Sequence, residues 1–467
     1  MLFNSYSFLF GFLPCVLLGW WGLRAWKPLR LAFLTGSSWF FYAWWDWRYL
    51  PVLIGATTVD YVAGQWIHGT ENEARRRLLL AASMATNIGI LAYFKYAGFF
   101  FDSLNGIGSA LGAEPGLPTL HIVLPIGISF YTFNSMSYTI DIFRRRVKPT
   151  RNLLEYTTFV GLFPHLIAGP IVRFTDLADQ LKRLTPRLTS ETASRGMFFL
   201  SCGLVKKLLI ADQLNPYVAR LYKHHAHLGL LSGWAAAVGY SLQLYFDFSG
   251  YSDMAVGLAW LLGFRFPQNF NSPFKAVNIS DFWRRWHMSL SSWFRDYLFI
   301  PLGGSQRGAK RTLLNLVLTM FLAGLWHGAA WTFVVWGLIH GLFLGSHAVL
   351  RRAGWTPTSV TVNRVLTFLL VCAAFVIFRS PSLGVAGDVL SSMVGLHGLG
   401  SPAQLHTLLP LKFALLMAAL LLFVNLAPNT WQIRLKPRVW QGMAAGIAAA
   451  IAVMTVSQPH PFIYFQF

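Results

Sequence analysis

Apolar runs long enough to cross a bilayer recur along the chain, separated by short loops that carry most of its charge. Runs of about 18 or more apolar residues are the mark of transmembrane helices, so the pattern predicts an all-α polytopic membrane protein. The first run covers roughly Tyr6 to Leu23. The second ends in the aromatic segment SSWFFYAWWDW, and the third reaches Ile67. The fourth passes through LAYFKY and the fifth through LPIGISFYTFNSMSYTIDIF. Later runs lie near Arg195 to Leu214, through SLQLYFDFSGYSDMAVGLAWLLGF, and near Val365 to Ile377, Leu411 to Val424 and Val439 to Val456. Basic loops mark the cytoplasmic side of such a protein. Arg24, Lys27 and Arg30, then Arg75 to Arg77, then Arg144 to Arg146 with Lys148, and finally Arg434, Lys436 and Arg438 therefore put both ends of the sequence on the outer face.

Two runs break this rhythm. TTFVGLFPHLIAGPIVRF carries His165, is interrupted by Pro164 and Pro170, and has basic loops on both sides. It reads as a re-entrant segment, which is tolerated at membrane depth only when buried in protein or lining a cavity. The second is the charge-free run Leu313 to Ser346. As one straight helix it is about 51 Å long, against a hydrocarbon core of about 30 Å. Arg311 before it and Arg351 and Arg352 after it also imply a return to the same side, so a break is expected near Gly328.

Between these lies the one long amphipathic stretch, residues 265–311, expected on the cytoplasmic side. Its basic and aromatic residues suit an interfacial helix, or equally a mouth for an anionic substrate. The rest reads as one membrane domain over residues 1–467, with a tail at 457–467.

Composition agrees and removes other classes. The chain has 467 residues, 55% hydrophobic and only 12% charged, against about 25% charged in soluble domains. The net charge of +21 sits in the inter-run loops, which accounts for it without nucleic acid. Cys15, Cys202 and Cys372 are few and far apart, so neither a disulfide framework nor a metal site is indicated.

Candidate chemistry follows from polar residues in costly places. His327 lies in the middle of the charge-free run, with Gly324 and Gly328 at a spacing that lets another backbone approach. It is either a functional group or a core histidine bonded to a neighbouring carbonyl. His340 falls about 140° away on an ideal helix, so the two make no obvious metal pair. His287, between Trp286 and Met288 and next to Arg284 and Arg285, is the second candidate. Asp247 and Asp253 are expected to pair with Lys206, Lys207 or an arginine, with catalysis the alternative.

DFWRRWHMSLSSWFRDYLFIPLGG followed by LWHGAAWTFVVWGLIHG resembles the membrane-bound O-acyltransferase (MBOAT) family, in its bacterial alginate O-acetyltransferase membrane-subunit type. MLFNSYSFLFGFLP, SSWFFYAWW, LAYFKY, LPIGISFYTFNSMSYTID, FPHLIAGPIVR and YFDFSGYSDMAVGLAWLLGFRFPQNFNSPF extend the resemblance along the chain. It implies a ring of roughly eleven to twelve transmembrane helices around a tunnel. It also implies His327 as general base and His287 as the residue that positions donor or acceptor, with Arg284 and Arg285 reading donor phosphates. The ending Phe462-Ile-Tyr-Phe-Gln-Phe467 is similar to an F-x-Y-F-x-F tail of this branch, which implies a transiently acylated Tyr464; the alternative is an aromatic interface belt.

The resulting expectation is a multi-pass enzyme of the bacterial inner membrane. It moves an acetyl group from cytoplasmic acetyl-CoA outward for O-acetylation of an exported, alginate-like polysaccharide. No permanently bound cofactor is expected. The expected partner is an extracytoplasmic serine-type (SGNH-like) acyltransferase. Peptidoglycan, cellulose or teichoic acid as acceptor, an acyl carrier protein as donor, and a transporter or channel function are the rival readings.

Overall fold

Helices begin where the chain offers an N-terminal signal. Pro14, Pro28 and Pro51 open α1 (Leu13–Gly22), α2 (Lys27–Asp46) and α3 (Leu50–Gly69), where a missing N–H costs nothing. The Asn72 and Asn152 side chains cap α4 (Glu73–Leu91) and, after α5 (Ala97–Ala110) and α6 (Ile128–Phe143), α7 (Leu153–Gly161). The computed structural model describes residues 1–113, 116–120, 122–185, 187–354, 359–433, 439–455 and 462–463. Among these residues all regular structure is helical, as the apolar pattern predicts.

The chain divides into two compact units. The first comprises Met1–Met197 and Ala255–Pro267. In it, Ser7–Phe12 and Ala92–Tyr96 are wound as π-helix, the latter joining α4 to α5 into one rod, Glu73–Ala110. Gly64 of α3 lets α6 approach: a Cβ there would stand 2.7 Å from the Tyr138 ring. Buried Asp60 accepts from Ser83 Oγ at 2.6 Å and Asn87 Nδ2 at 2.9 Å. The predicted re-entrant segment is indeed broken. After α7 the chain is extended at Leu162, forms the single turn α8 (Phe163–Leu166), and stays non-helical until α9 (Phe174–Arg183). Residues 158–172 are all buried, which meets the condition for irregular backbone at membrane depth. His165 is among them, with Nδ1 accepting from Asn134 Nδ2 at 3.2 Å.

The second unit comprises Phe198–Met254 and Gln268–Phe467. It takes up the second half of α10 (Ser190–Leu204), a π segment Val205–Ala211, α11 (Asp212–Lys223) and most of α12 (Leu230–Leu261). The amphipathic stretch 265–311, read as an interfacial helix or equally as a mouth for an anionic substrate, does not form one continuous helix. A non-helical run leads to α13 (Ile279–Trp283), then come α14 (Met288–Phe294) and a π turn, Arg295–Phe299. Phe266, Phe270, Phe274, Phe282, Trp283, Trp286 and Trp293 are buried. Its aromatics face protein, and only part of its charge faces out.

The charge-free run is a helical hairpin. α15 (Gly308–His327) ends at His327 and α16 (Trp331–Arg352) begins four residues later, so the break falls where the length argument puts it. A Cβ on Gly324 would collide with the Phe333 carbonyl, and one on Gly337 with the Met320 carbonyl. The two helices therefore meet backbone to backbone. After them come α17 (Val360–Arg379), α18 (Leu383–Met393), α19 (Pro402–Leu408), α20 (Leu411–Leu426) and α21 (Val439–Met454).

Among the described residues, three helices are by length and apolarity sufficient to cross a membrane: Glu73–Ala110, α16 and α17. The bent pair α19–α20, turned by 65°, makes a fourth if it counts as one span. The other helices are shorter, or are long enough but less apolar, with buried polar groups such as Asp60 of α3 and Asp247 of α12.

Candidate active site

The hairpin break turns α15's last residue, His327, into an aromatic box. Its ring lies 5.0 Å from Trp326, 5.1 Å from Trp336 of α16 and 5.3 Å from Phe378 of α17, each edge to face. The side chain is 5% exposed.

His287 is held differently. It sits at the N-cap of α14 with φ +44°, a left-handed conformation that costs a non-glycine residue about 1–3 kcal/mol and gathers at functional sites. Its Nδ1 is 3.1 Å from Asn269 Oδ1. That oxygen also receives the Ser289 hydroxyl at 2.9 Å and the Ser289 N–H at 3.4 Å, while Asn269 Nδ2 donates to Ser252 Oγ at 3.0 Å. A backbone N–H donates only, so Asn269 presents its oxygen, and His287 must donate through Nδ1. Nε2 is then the lone-pair nitrogen, the one suited to take a proton.

Trp326 touches both candidates. Its indole is 6.0 Å from the His287 ring and 5.0 Å from the His327 ring. The structure thus brings the predicted pair to one wall, with an indole shared between them.

His340 joins them, and the sequence reading passed over it. Trp336 is sandwiched between the His327 ring at 5.1 Å and the His340 ring at 4.7 Å. Trp283 Nε1 donates to His340 Nδ1 at 3.3 Å, so His340 carries its proton on Nε2, the opposite tautomer to His287. The signal available in sequence was WGLIHG itself, a tryptophan and a histidine four residues apart on one helical face.

The arginines separate. Arg284 lines a cavity of about 460 Å³ with Trp283, Met288, Arg295, Thr319, Met320 and Leu344. Arg285 is instead tied down by Asp281 Oδ1 at 3.0 Å and the Asn271 carbonyl at 3.4 Å. Arg295 bonds Asp296 at 2.7 Å, which raises its already high pKa.

The buried acids pair as expected. Lys206 Nζ meets Asp253 Oδ2 at 2.6 Å and Thr430 Oγ1 at 2.9 Å. Lys207 Nζ meets Asp247 Oδ1 at 2.7 Å and Asp212 Oδ1 at 2.9 Å. A second, mostly apolar cavity of about 370 Å³ opens beside Lys206, Tyr245 and Thr430. No three His, Cys, Asp or Glu side chains come together as a metal site among the described residues.

Tyr464 lies outside the described residues. Phe462 and Ile463, just before it, rest on α12: Ile463 N–H donates to Asp247 Oδ2 at 2.9 Å, and the Phe462 ring meets Tyr251 at 4.5 Å. Between these positions on α12 is Phe248, whose ring is 4.7 Å from His287. Phe248 and Tyr251, three residues apart, are neighbours on that helix.

The chain is similar to known proteins along most of its length. The chain is 45% identical over 397 residues to a probable alginate O-acetylase of Azotobacter vinelandii, covering 84% of this chain and 78% of that protein. It is 38% identical over 430 residues to a peptidoglycan O-acetyltransferase of Helicobacter pylori, covering 85% and 80%. It is 30% identical over 280 residues to a teichoic acid D-alanyltransferase of Bacillus subtilis, covering 57% and 71%. Residues 4–379 match the model of the membrane-bound O-acyltransferase family, and with them the chain belongs to that family, as a membrane-bound acyltransferase.

Proposed function

We propose that this enzyme moves an acetyl group from cytoplasmic acetyl-CoA across the bacterial inner membrane for O-acetylation of an exported polysaccharide of alginate type. The observation that carries the reading is the pair His287 and His327 on one shared indole, Trp326, with His327 at the break of the helical hairpin and His287 at the start of α14. The alginate-type acceptor is favoured by the 45% identity to a probable alginate O-acetylase, against 38% to the peptidoglycan enzyme. In this reading a ring of roughly eleven to twelve transmembrane helices surrounds a tunnel, and both ends of the sequence face the periplasm.

The donor enters at the cytoplasmic mouth, where Arg284 offers its guanidinium to phosphate. The Tyr464 oxygen attacks the thioester carbonyl. A histidine at the shared wall, His327, takes the phenol proton, with His287 orienting the partners; the carbon–sulfur bond breaks and the thiolate leaves with that proton. The acetyl-tyrosine keeps transfer potential, because a phenol of pKa about 10 is a better leaving group than an alkoxide. An extracytoplasmic serine-type acyltransferase then takes the group to the polymer.

Tyr464→Phe keeps the ring and deletes the nucleophile. Polymer acetylation is expected to stop in this variant while donor binding survives. Mass spectrometry of the tail peptide after incubation with labelled acetyl-CoA is expected to show an acetyl on Tyr464 in wild type only. A fully active Tyr464→Phe enzyme removes the relay.

The two arginines give a sharper test of the mouth. Arg284→Gln is expected to raise the donor KM about tenfold and to flatten its dependence on ionic strength, with little change in melting temperature. Arg285→Gln is expected to do the reverse, because it breaks the Asp281 and Asn271 bonds. Equal donor KM in Arg284→Gln and wild type contradicts the mouth.

A further inference from the structure

Two buried lysine–aspartate pairs stand side by side in the second unit, and only one is closed on itself. Asp253 gives a single oxygen, Oδ2, to both Lys206 at 2.6 Å and Thr430 at 2.7 Å. Asp247 divides its oxygens. Oδ1 takes Lys207 at 2.7 Å, and Oδ2 takes the backbone N–H of Ile463 at 2.9 Å. Lys207 also stands 4.7 Å over the Phe462 ring, whose edge-to-face partner is Tyr251 at 4.5 Å. Phe462 is 1% exposed, and the Asp247 side chain 2%.

We propose that Asp247, Lys207 and Tyr251 form a docking socket for the tail segment, with Asp247 a positioning residue that places the chain just before Tyr464. The inference rests on the relay reading above for its consequence, but not for its geometry. A carboxylate half neutralised by lysine still accepts a strong, charge-assisted bond from a backbone N–H. That bond fixes the strand direction of the tail whatever its side chains. The aromatic seat then selects the register, since Phe462 fills it by stacking on Tyr251 and by a cation–π contact. Together the two contacts hold two successive residues, Phe462 by its side chain and Ile463 by its main chain. Phe248, which packs on His287 at 4.7 Å, stands three residues before Tyr251 on α12, so the aromatic seat and the ring against the histidine are neighbours on one helix surface.

The socket is tested by hydrogen exchange of full-length protein in nanodiscs, read on the tail peptide containing Ile463. The variants are Asp247→Ala, Phe462→Ala and Asp253→Ala. Asp247→Ala leaves Lys207 its Asp212 partner at 2.9 Å, and Phe462→Ala leaves the ion pair whole, so a folding failure in one does not obscure the other. In both, the tail peptide is expected to exchange at least tenfold faster, and acetylation of Tyr464 to fall in parallel. Asp253→Ala, which breaks the neighbouring pair, is expected to leave tail exchange at the wild-type rate. Wild-type exchange in both Asp247→Ala and Phe462→Ala overturns the socket, as does equal deprotection in Asp253→Ala. Socket-dependent protection together with a fully active Tyr464→Phe enzyme supports the socket and removes only the relay.

Discussion

His327→Ala is expected to lower acetyl transfer about 10²–10⁴-fold, the usual share of a general acid–base group, in a protein that still inserts and accumulates. The side chain ends α15 inside a box of Trp326, Trp336 and Phe378. Those rings belong to three helices that are held together by many other contacts, so truncation leaves a small void and not an open fold. An ionisable group in such a place is costly to keep, and its retention calls for a chemical reason. The measurement is polymer acetylation at matched protein level, with donor binding as a second readout. Wild-type acetylation by His327→Ala would take the residue out of the mechanism. Loss of donor binding along with turnover would reassign it to substrate binding.

Gly337→Val is expected to prevent accumulation of folded protein, or to lower its melting temperature sharply. At this position α16 rests on the backbone of α15. A Cβ would strike the Met320 carbonyl and stand 3.2 Å from the Gly324 Cα. Neither is the end of a flexible side chain, so the helices must separate. Overpacking of this kind costs about 1–3 kcal/mol where side chains can adjust, and here they cannot. Separation also moves His327 away from Trp336, so activity goes with stability. Gly36→Ala, on α2 with open space around its Cβ position, is the matched control and is expected to behave as wild type. Size-exclusion profiles and thermal melts of the two variants in detergent decide the matter.

Much of this was legible from length and charge. The break after His327 followed from a run too long for the bilayer whose basic flanks face the same side. The irregular segment around His165 followed from two prolines between basic loops. The pairing of Asp247 and Asp253 with Lys206 and Lys207 followed from the cost of leaving charges alone in an apolar setting. The stretch 265–311 was left with two readings because basic and aromatic residues alternate similarly on a membrane-surface helix and in a loop that fills a protein interior. Pro267, Pro273 and the asparagines at 269, 271 and 278 were the distinguishing signal, since they break helices and form turns. His340 was set aside by an angle computed on an unbroken helix. Once the helix breaks at Gly328 that angle has no meaning, and Trp336 turns out to lie against both rings. The tautomers of His287 and His340 depend on Asn269 and Trp283, partners 18 and 57 residues away in sequence, so no local pattern encodes them.

The π-wound segments bear on how chains of this kind are compared. Ser7–Phe12, Ala92–Tyr96, Val205–Ala211 and Arg295–Phe299 each close their hydrogen bonds one residue later than an α-helix does. Each therefore stores an extra residue within a rod instead of expelling it into a loop, and turns everything beyond it by about 100° relative to an uninterrupted helix. A relative that lacks the extra residue keeps nearly the same rod length but presents a different face past that point. In aligning such chains, gaps belong inside these helices, at the π turns, as well as in the loops.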